Sequence, residues 1–155
     1  MLMINIHGSQ KILKQDSSEK EALQCKIISL INLGKSVDLE QFISSENKKE
    51  EFVLEYAYSL YCLGKFQQSI EHLETNKKNN PNLQKEIDIL LAQNYYKSGQ
   101  YNKCFELYKQ ILNSKKEELE NESDLLTNFL AAYGLSNADD LDLLKSIQRY
   151  INTWE

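Results

Sequence analysis

The stretch 94–112, NYYKSGQYNKCFELYKQIL, carries two helix-forming runs that meet at Gly99. Glycine adopts positive φ without steric cost, so it commonly marks the residue just past a helix end. Around it the side chains follow a size code. Leu91 and Ala92 form a large–small pair eight and seven residues before the glycine, and Tyr95 stands four before. Tyr101 lies two after, Cys104 five after, Tyr108 nine after and Ile111 twelve after. These spacings put apolar groups on one face of each run, as two helices packed across a tight turn require.

The same code recurs at Gly64, in SLYCLGKF. Tyr56 and Ala57 fill the large–small pair, Leu60 the position four before, and Phe66, Ser69 and Leu73 the three following slots. The single proline, Pro81, falls seventeen residues after this glycine. Its fixed φ and missing N–H suit the first turn of a new helix, with Asn80 as the expected N-cap. A fainter copy surrounds Gly34, in SLINLGKS, with Leu23, Ile27 and Leu30 on its first helix and a shortened second helix, VDLEQFIS. The glycines are 30 and 35 residues apart, bracketing the tetratricopeptide period of about 34 residues. The spacing predicts an all-α, right-handed tetratricopeptide (TPR) solenoid of three to four helix-turn-helix units with a C-terminal capping helix.

Outward from the three glycines, the chain divides into one repeat domain. Residues 1–17 form a partial preceding helix around GSQKILKQ, and 18–47, 48–80 and 81–118 are successive units. The final unit and capping helices occupy 119–155. Ser18 and Glu21 have the spacing of a capping box at the first unit's start. In ESDLLTNFLAAYGLSNADD, residues 128–131 are expected on the packing face, with Asn137 in place of the turn glycine. A last helix from Asn137 carries Leu141, Leu144, Ile147, Ile151 and Trp154 at helical spacing, Trp154 covering the end of the stack.

Composition agrees. The 155 residues include one proline, five glycines and many Leu, Lys, Glu and Gln, which are good helix formers. The net charge of −5, and the placement of the pairs Lys48-Lys49, Lys77-Lys78 and Lys115-Lys116 next to acids or in expected loops, argue against nucleic-acid binding, which needs clustered cations. The apolar start MLMINI is too short for a signal peptide core or a membrane span, so no membrane role is expected. Cys25, Cys62 and Cys104 are widely spaced, with no nearby Cys or His partner, which predicts buried thiols in a reducing cytosol and no metal. Asp139 and Asp140 read as charges at a helix N-terminus. No nucleophile–base constellation or phosphate loop is present, so neither a catalytic residue nor a cofactor is expected and the chain is not read as an enzyme.

Function must then come from a surface. In a stacked helix-pair solenoid the first helix of each unit lines an inner groove. The register puts Gln24, Ile28, Ile31 and Asn32 there from the first unit and Leu54, Tyr58 and Tyr61 from the second, with Cys62 adjacent. Ile89, Gln93, Tyr96 and Lys97 follow from the third, and Thr127, Ala131 and Gly134 from the fourth. This mainly apolar and aromatic set lacks the cationic cage that grips a terminal carboxylate, and favours an internal apolar segment of a protein partner.

The ordered series ALQCKIISLINLGK, LEYAYSLYCLGKFQQSIEHLE, LLAQNYYKSGQYNKCFELYKQILNS, then an acidic run and TNFLAA, resembles the N-terminal repeat region of the 72-kDa protein family of the eukaryotic signal recognition particle, over about residues 9–135. The resemblance implies a cytoplasmic ribonucleoprotein scaffold for cotranslational targeting, whose repeats bind the C-terminal part of the particle's 68-kDa subunit. It carries no individual contact residues across, and the family's downstream basic RNA-contacting region has no counterpart in these residues. The alternatives are an adaptor for another peptide and a self-associating homodimer.

Overall fold

The computed structural model describes residues 17–113 and 122–136, and every regular element among them is helical. Seven α-helices follow in order: α1 (Ser17–Asn32), α2 (Ser36–Ser45), α3 (Val53–Cys62), α4 (Phe66–Lys77), α5 (Gln84–Lys97), α6 (Tyr101–Asn113) and α7 (Glu122–Leu135), with a short 3-10 turn, Pro81–Leu83, leading into α5. Each helix packs on the next, and α3 also packs directly on α5. No comparably close pair joins α2, α4 and α6 among the described residues. This is an all-α helical-repeat solenoid in which α3 and α5 lie side by side, with α4 packed on both.

The three glycines end α1, α3 and α5 by one device. Gly34, Gly64 and Gly99 have φ of +65°, +72° and +75°. In each turn the glycine N–H and the next N–H reach back to the last carbonyls, as with Gly99 N to Tyr96 O at 3.2 Å and Gln100 N to Tyr95 O at 2.8 Å. This is the Schellman arrangement, which satisfies carbonyls that a helix end leaves orphaned. The following residue's carbonyl at once accepts the first bond of the next helix, as Gln100 O does from Cys104 N at 3.0 Å. No slack separates the paired helices. Asn47 does the same work after α2, at φ +54°.

The size code is satisfied by burial. Ala57 and Ala92 are fully enclosed, which lets each first helix approach its partner closely. Ser69 sits opposite Ala57 and donates from Oγ to the Ala57 carbonyl at 2.9 Å. Cys104, Tyr108 and Ile111 are buried on α6 facing α5 and α7. The core falls into two clusters. A large one runs from Val53 through α4, α5 and α6 to Ala132, and a small one joins Ile27, Leu39 and Ile43 to Phe52, Tyr56 and Leu60.

Three expectations are corrected. Only Cys104 is a buried thiol, pushed up to about 12 by burial, whereas Cys25 and Cys62 are exposed; all three are free. Pro81 does open the 3-10 turn behind Asn80, but the Asn80 side chain does not cap it. It donates from Nδ2 back to the Asn76 carbonyl at 2.9 Å, tying down the end of α4 instead. On α7 the buried set is Leu125, Phe129 and Ala132; of residues 128–131, Phe129 is enclosed, Leu130 packs half-buried on the large core and Asn128 is half-buried, but Ala131 is exposed. The side chains of the Ser18–Glu21 capping box cannot be compared as a pair, since Ser18 lies outside those described. The same holds for the expected preceding helix at GSQKILKQ, the Asn137 turn and the capping helix ending at Trp154.

Candidate functional site

The neighbouring helices α3 and α5 each carry a half-buried apolar strip. Leu54, Tyr58 and Tyr61 on α3 and Ile89 and Tyr96 on α5 all pack their inner edges on the large core and leave the rest accessible. Spacings of four and three residues on α3, and of seven on α5, bring each set onto one helical face. The aromatic rings are fixed by neighbours. Tyr58 stacks along Tyr61 with centroids 6.4 Å apart, Tyr61 meets the edge of Phe66 at 5.8 Å, and Tyr96 meets the edge of Tyr101 at 5.5 Å. Rings held in this way lose little entropy when a partner covers them. Burial, with a side-chain hydrogen bond to Cys62, pushes the Tyr58 hydroxyl up to about 12, so it remains a neutral donor. Burial also raises Tyr61.

The other expected groove residues differ from this strip. Gln93 is half-buried between Ile89 and Tyr96 in register, and Lys97 is exposed at the end of α5. In the first unit Ile31 is half-buried, while Ile28 and Asn32 are exposed, Ile28 to 43%. Gln24 is half-buried, and Thr127, Ala131 and Gly134 on α7 are exposed. The groove face is therefore aromatic in its middle and becomes smaller and more polar on α7.

Two carboxylates at this face went unnoticed in the sequence. Glu55, in the first turn of α3, is half-buried, and burial holds its carboxyl above the usual carboxylate range. Glu86, in the first turn of α5, has one carboxylate oxygen fully shielded and without a hydrogen-bond partner. Their spacing was a usable signal, because Glu55 is three residues from Tyr58 and Glu86 is three from Ile89. Among the described residues no cluster of His, Cys, Asp and Glu is arranged to hold a metal, and no helix is long and apolar enough to cross a membrane.

Comparison with known proteins gives two relatives. Signal recognition particle subunit SRP72 of Dictyostelium discoideum is 30% identical over 129 residues, which is 83% of this chain. The chain is similar to SRP72 along most of its length. SRP72 of Schistosoma mansoni is 29% identical over 150 residues, or 96% of the chain. The aligned regions are 18% and 20% of those two proteins, so the chain spans about a fifth of the length of the SRP72 relatives it matches. No protein-family model matches the chain, and no solved structure matches it significantly. The SRP72-like sequence thus coincides with the helical repeats and includes the whole aromatic strip.

Proposed function

We propose that this chain is a non-catalytic scaffold domain of the signal recognition particle, which binds the C-terminal segment of the 68-kDa subunit in the groove lined by α1, α3, α5 and α7. The similarity to two SRP72 proteins across most of the chain carries this reading. The strip of Leu54, Tyr58, Tyr61, Ile89 and Tyr96 supports it physically: large, orientationally fixed aromatic groups are the side chains that anchor protein partners. On this reading the chain works in the cytoplasm, in the targeting of secretory chains during their synthesis, and makes no direct contact with RNA.

Calorimetry with the C-terminal segment of the same organism's 68-kDa subunit tests the docking. A saturable complex at micromolar concentration supports it. No heat and no co-elution at tens of micromolar would sink it. Self-association is the other reading with an observation behind it, since Leu33 and Val37 in the first unit are 68% and 51% exposed. Light scattering that finds a monomer at every accessible concentration removes that reading.

A further inference from the structure

Glu55 and Glu86 differ from the other acids that the fold fixes in place. Glu51 is held between Lys48 at 2.9 Å and Lys20 at 3.5 Å. Asp88 meets Lys77 at 2.6 Å, and Glu74 accepts a 2.6 Å hydrogen bond from the Tyr95 hydroxyl. Glu55, by contrast, forms no ion pair with any described residue, and its carboxylate is steadied only by its own backbone N–H. Glu86 likewise meets no cation among the described residues, and its Oε2 is shielded from solvent with no described group to accept from.

A position in the first turn of a helix accounts for a negative charge but not for its withdrawal from water, since the dipole effect is available to an exposed side chain. A shielded, unpaired carboxylate costs free energy that a nearby cation offsets. Among the described residues, no lysine, arginine or histidine forms an ion pair with either group. Helical spacing puts Glu55 on the face of Tyr58, and Glu86 on the face of Ile89, so each borders the half-buried strip.

We propose that the groove selects an amphipathic segment of its protein partner, whose apolar side chains cover Leu54, Tyr58, Ile89 and Tyr96 and whose lysine or arginine side chains pair with Glu55 and Glu86. This rests on the docking reading and adds the charge chemistry of the occupant. The two acids sit on neighbouring helices, α3 and α5, so the cations of the segment must be spaced to reach neighbouring repeats. The apolar strip supplies the contact area and the carboxylates fix the register.

The test uses the full 155-residue chain. Synthetic peptides tiling the C-terminal third of the 68-kDa subunit are titrated by fluorescence anisotropy at several salt concentrations. The variants are Glu55→Gln, Glu86→Gln and the double, which keep side-chain size, with Tyr58→Ala/Tyr96→Ala as the reference for groove binding. Circular dichroism checks that each is folded. The expected result is that the tightest peptide carries two or more cationic residues, and that the double Gln variant binds it about tenfold or more weakly with a flatter salt dependence. Replacing the peptide's cations by glutamine should weaken binding to the native chain and have little further effect on the double Gln variant. If the Tyr variant loses the peptide while the Gln variants bind it with unchanged affinity and salt slope, the charge pairing is overturned and the docking reading stands. If neither the peptides nor the intact 68-kDa subunit bind, the docking reading fails and takes the charge pairing with it.

Discussion

The first unit, α1–α2, and the two middle units, α3–α6, share the same glycine turn but are held together differently. In the middle units the core is continuous from Val53 to Ala132, and polar latches cross it. Ser69 reaches the Ala57 carbonyl, the Tyr95 hydroxyl reaches Glu74, and Lys77 reaches Asp88. Among the described residues of the first unit, the buried side chains are Ile27, Leu39 and Ile43, resting on Phe52, Tyr56 and Leu60 of the next segment. The slot that holds Tyr56 and Leu91 in later units holds Lys26, whose ammonium lies 3.8 Å from the Phe42 ring centroid at the surface. Identical turns therefore do not make equivalent units. The turn fixes the hairpin, and the stacking neighbours set how firmly it is held.

The sharpest way to break this comparison is with paired core truncations. Phe105→Ala on α6 should cost about 3–5 kcal/mol and unfold the middle units as a block, because Phe105 bridges to Phe129 and Tyr133 on α7. Ile43→Ala, at about 2–3 kcal/mol, should loosen α1 and α2 while leaving α4–α6 protected. Amide hydrogen exchange separates the two outcomes; equal loss of protection along the whole chain in both variants would show that the units do not differ.

The groove face gives the next effect. Tyr58→Ala with Tyr96→Ala should weaken partner binding by about 2 kcal/mol or more while helicity is kept, since both rings are only half-buried. Unfolding of the double variant, seen by circular dichroism, would instead assign these rings to the core. A smaller effect is expected at the turns. A Cβ at Gly99 meets nothing within 4 Å, so Gly99→Ala should cost only the left-handed backbone strain, about 1–2 kcal/mol in denaturant unfolding. Gly34→Ala should show less in global unfolding, because the first unit contributes less to it.

The smallest effect concerns pH at the seam between the first and second units. His72 lies edge-on to Tyr56 with ring centroids 4.9 Å apart, and burial, helped by Lys49, holds its imidazole below its ordinary value. The folded chain thus favours neutral His72. Its contribution is complete above the unfolded value of about 6.5 and is lost as pH falls below that toward the depressed folded value. Thermal melts from pH 7 to pH 5 should show a decline that His72→Gln makes shallower. An unchanged slope would remove His72 as a source of that decline.

Much of this architecture was legible in the sequence. Gly64 and Gly99 announce their turns because positive φ demands glycine, and Ala57, Ala92, Ser69 and Cys104 announce close helix approach because larger groups would not fit. The half-burial of Leu54, Tyr58, Ile89 and Tyr96 follows from a related feature: helical spacing relates Leu54 to Tyr58 and Ile89 to Tyr96. The exposed thiols of Cys25 and Cys62 and the buried face of α7 were not legible. A helical position becomes core or surface according to the neighbouring helix it meets, and spacing within one helix does not carry that information.

The sequence by itself determined the helical period, the three glycine turns and the size code that pairs each helix with the next, because these depend on local sterics and side-chain volume. Tertiary structure alone decided that the described part of the first unit would bury fewer side chains than the middle units, and that Glu55 and Glu86 would have no cation partner among the described residues while Asp88 has Lys77. The physical reason is that desolvation and ion pairing depend on groups brought together from different helices, and only the stacked repeats set those distances.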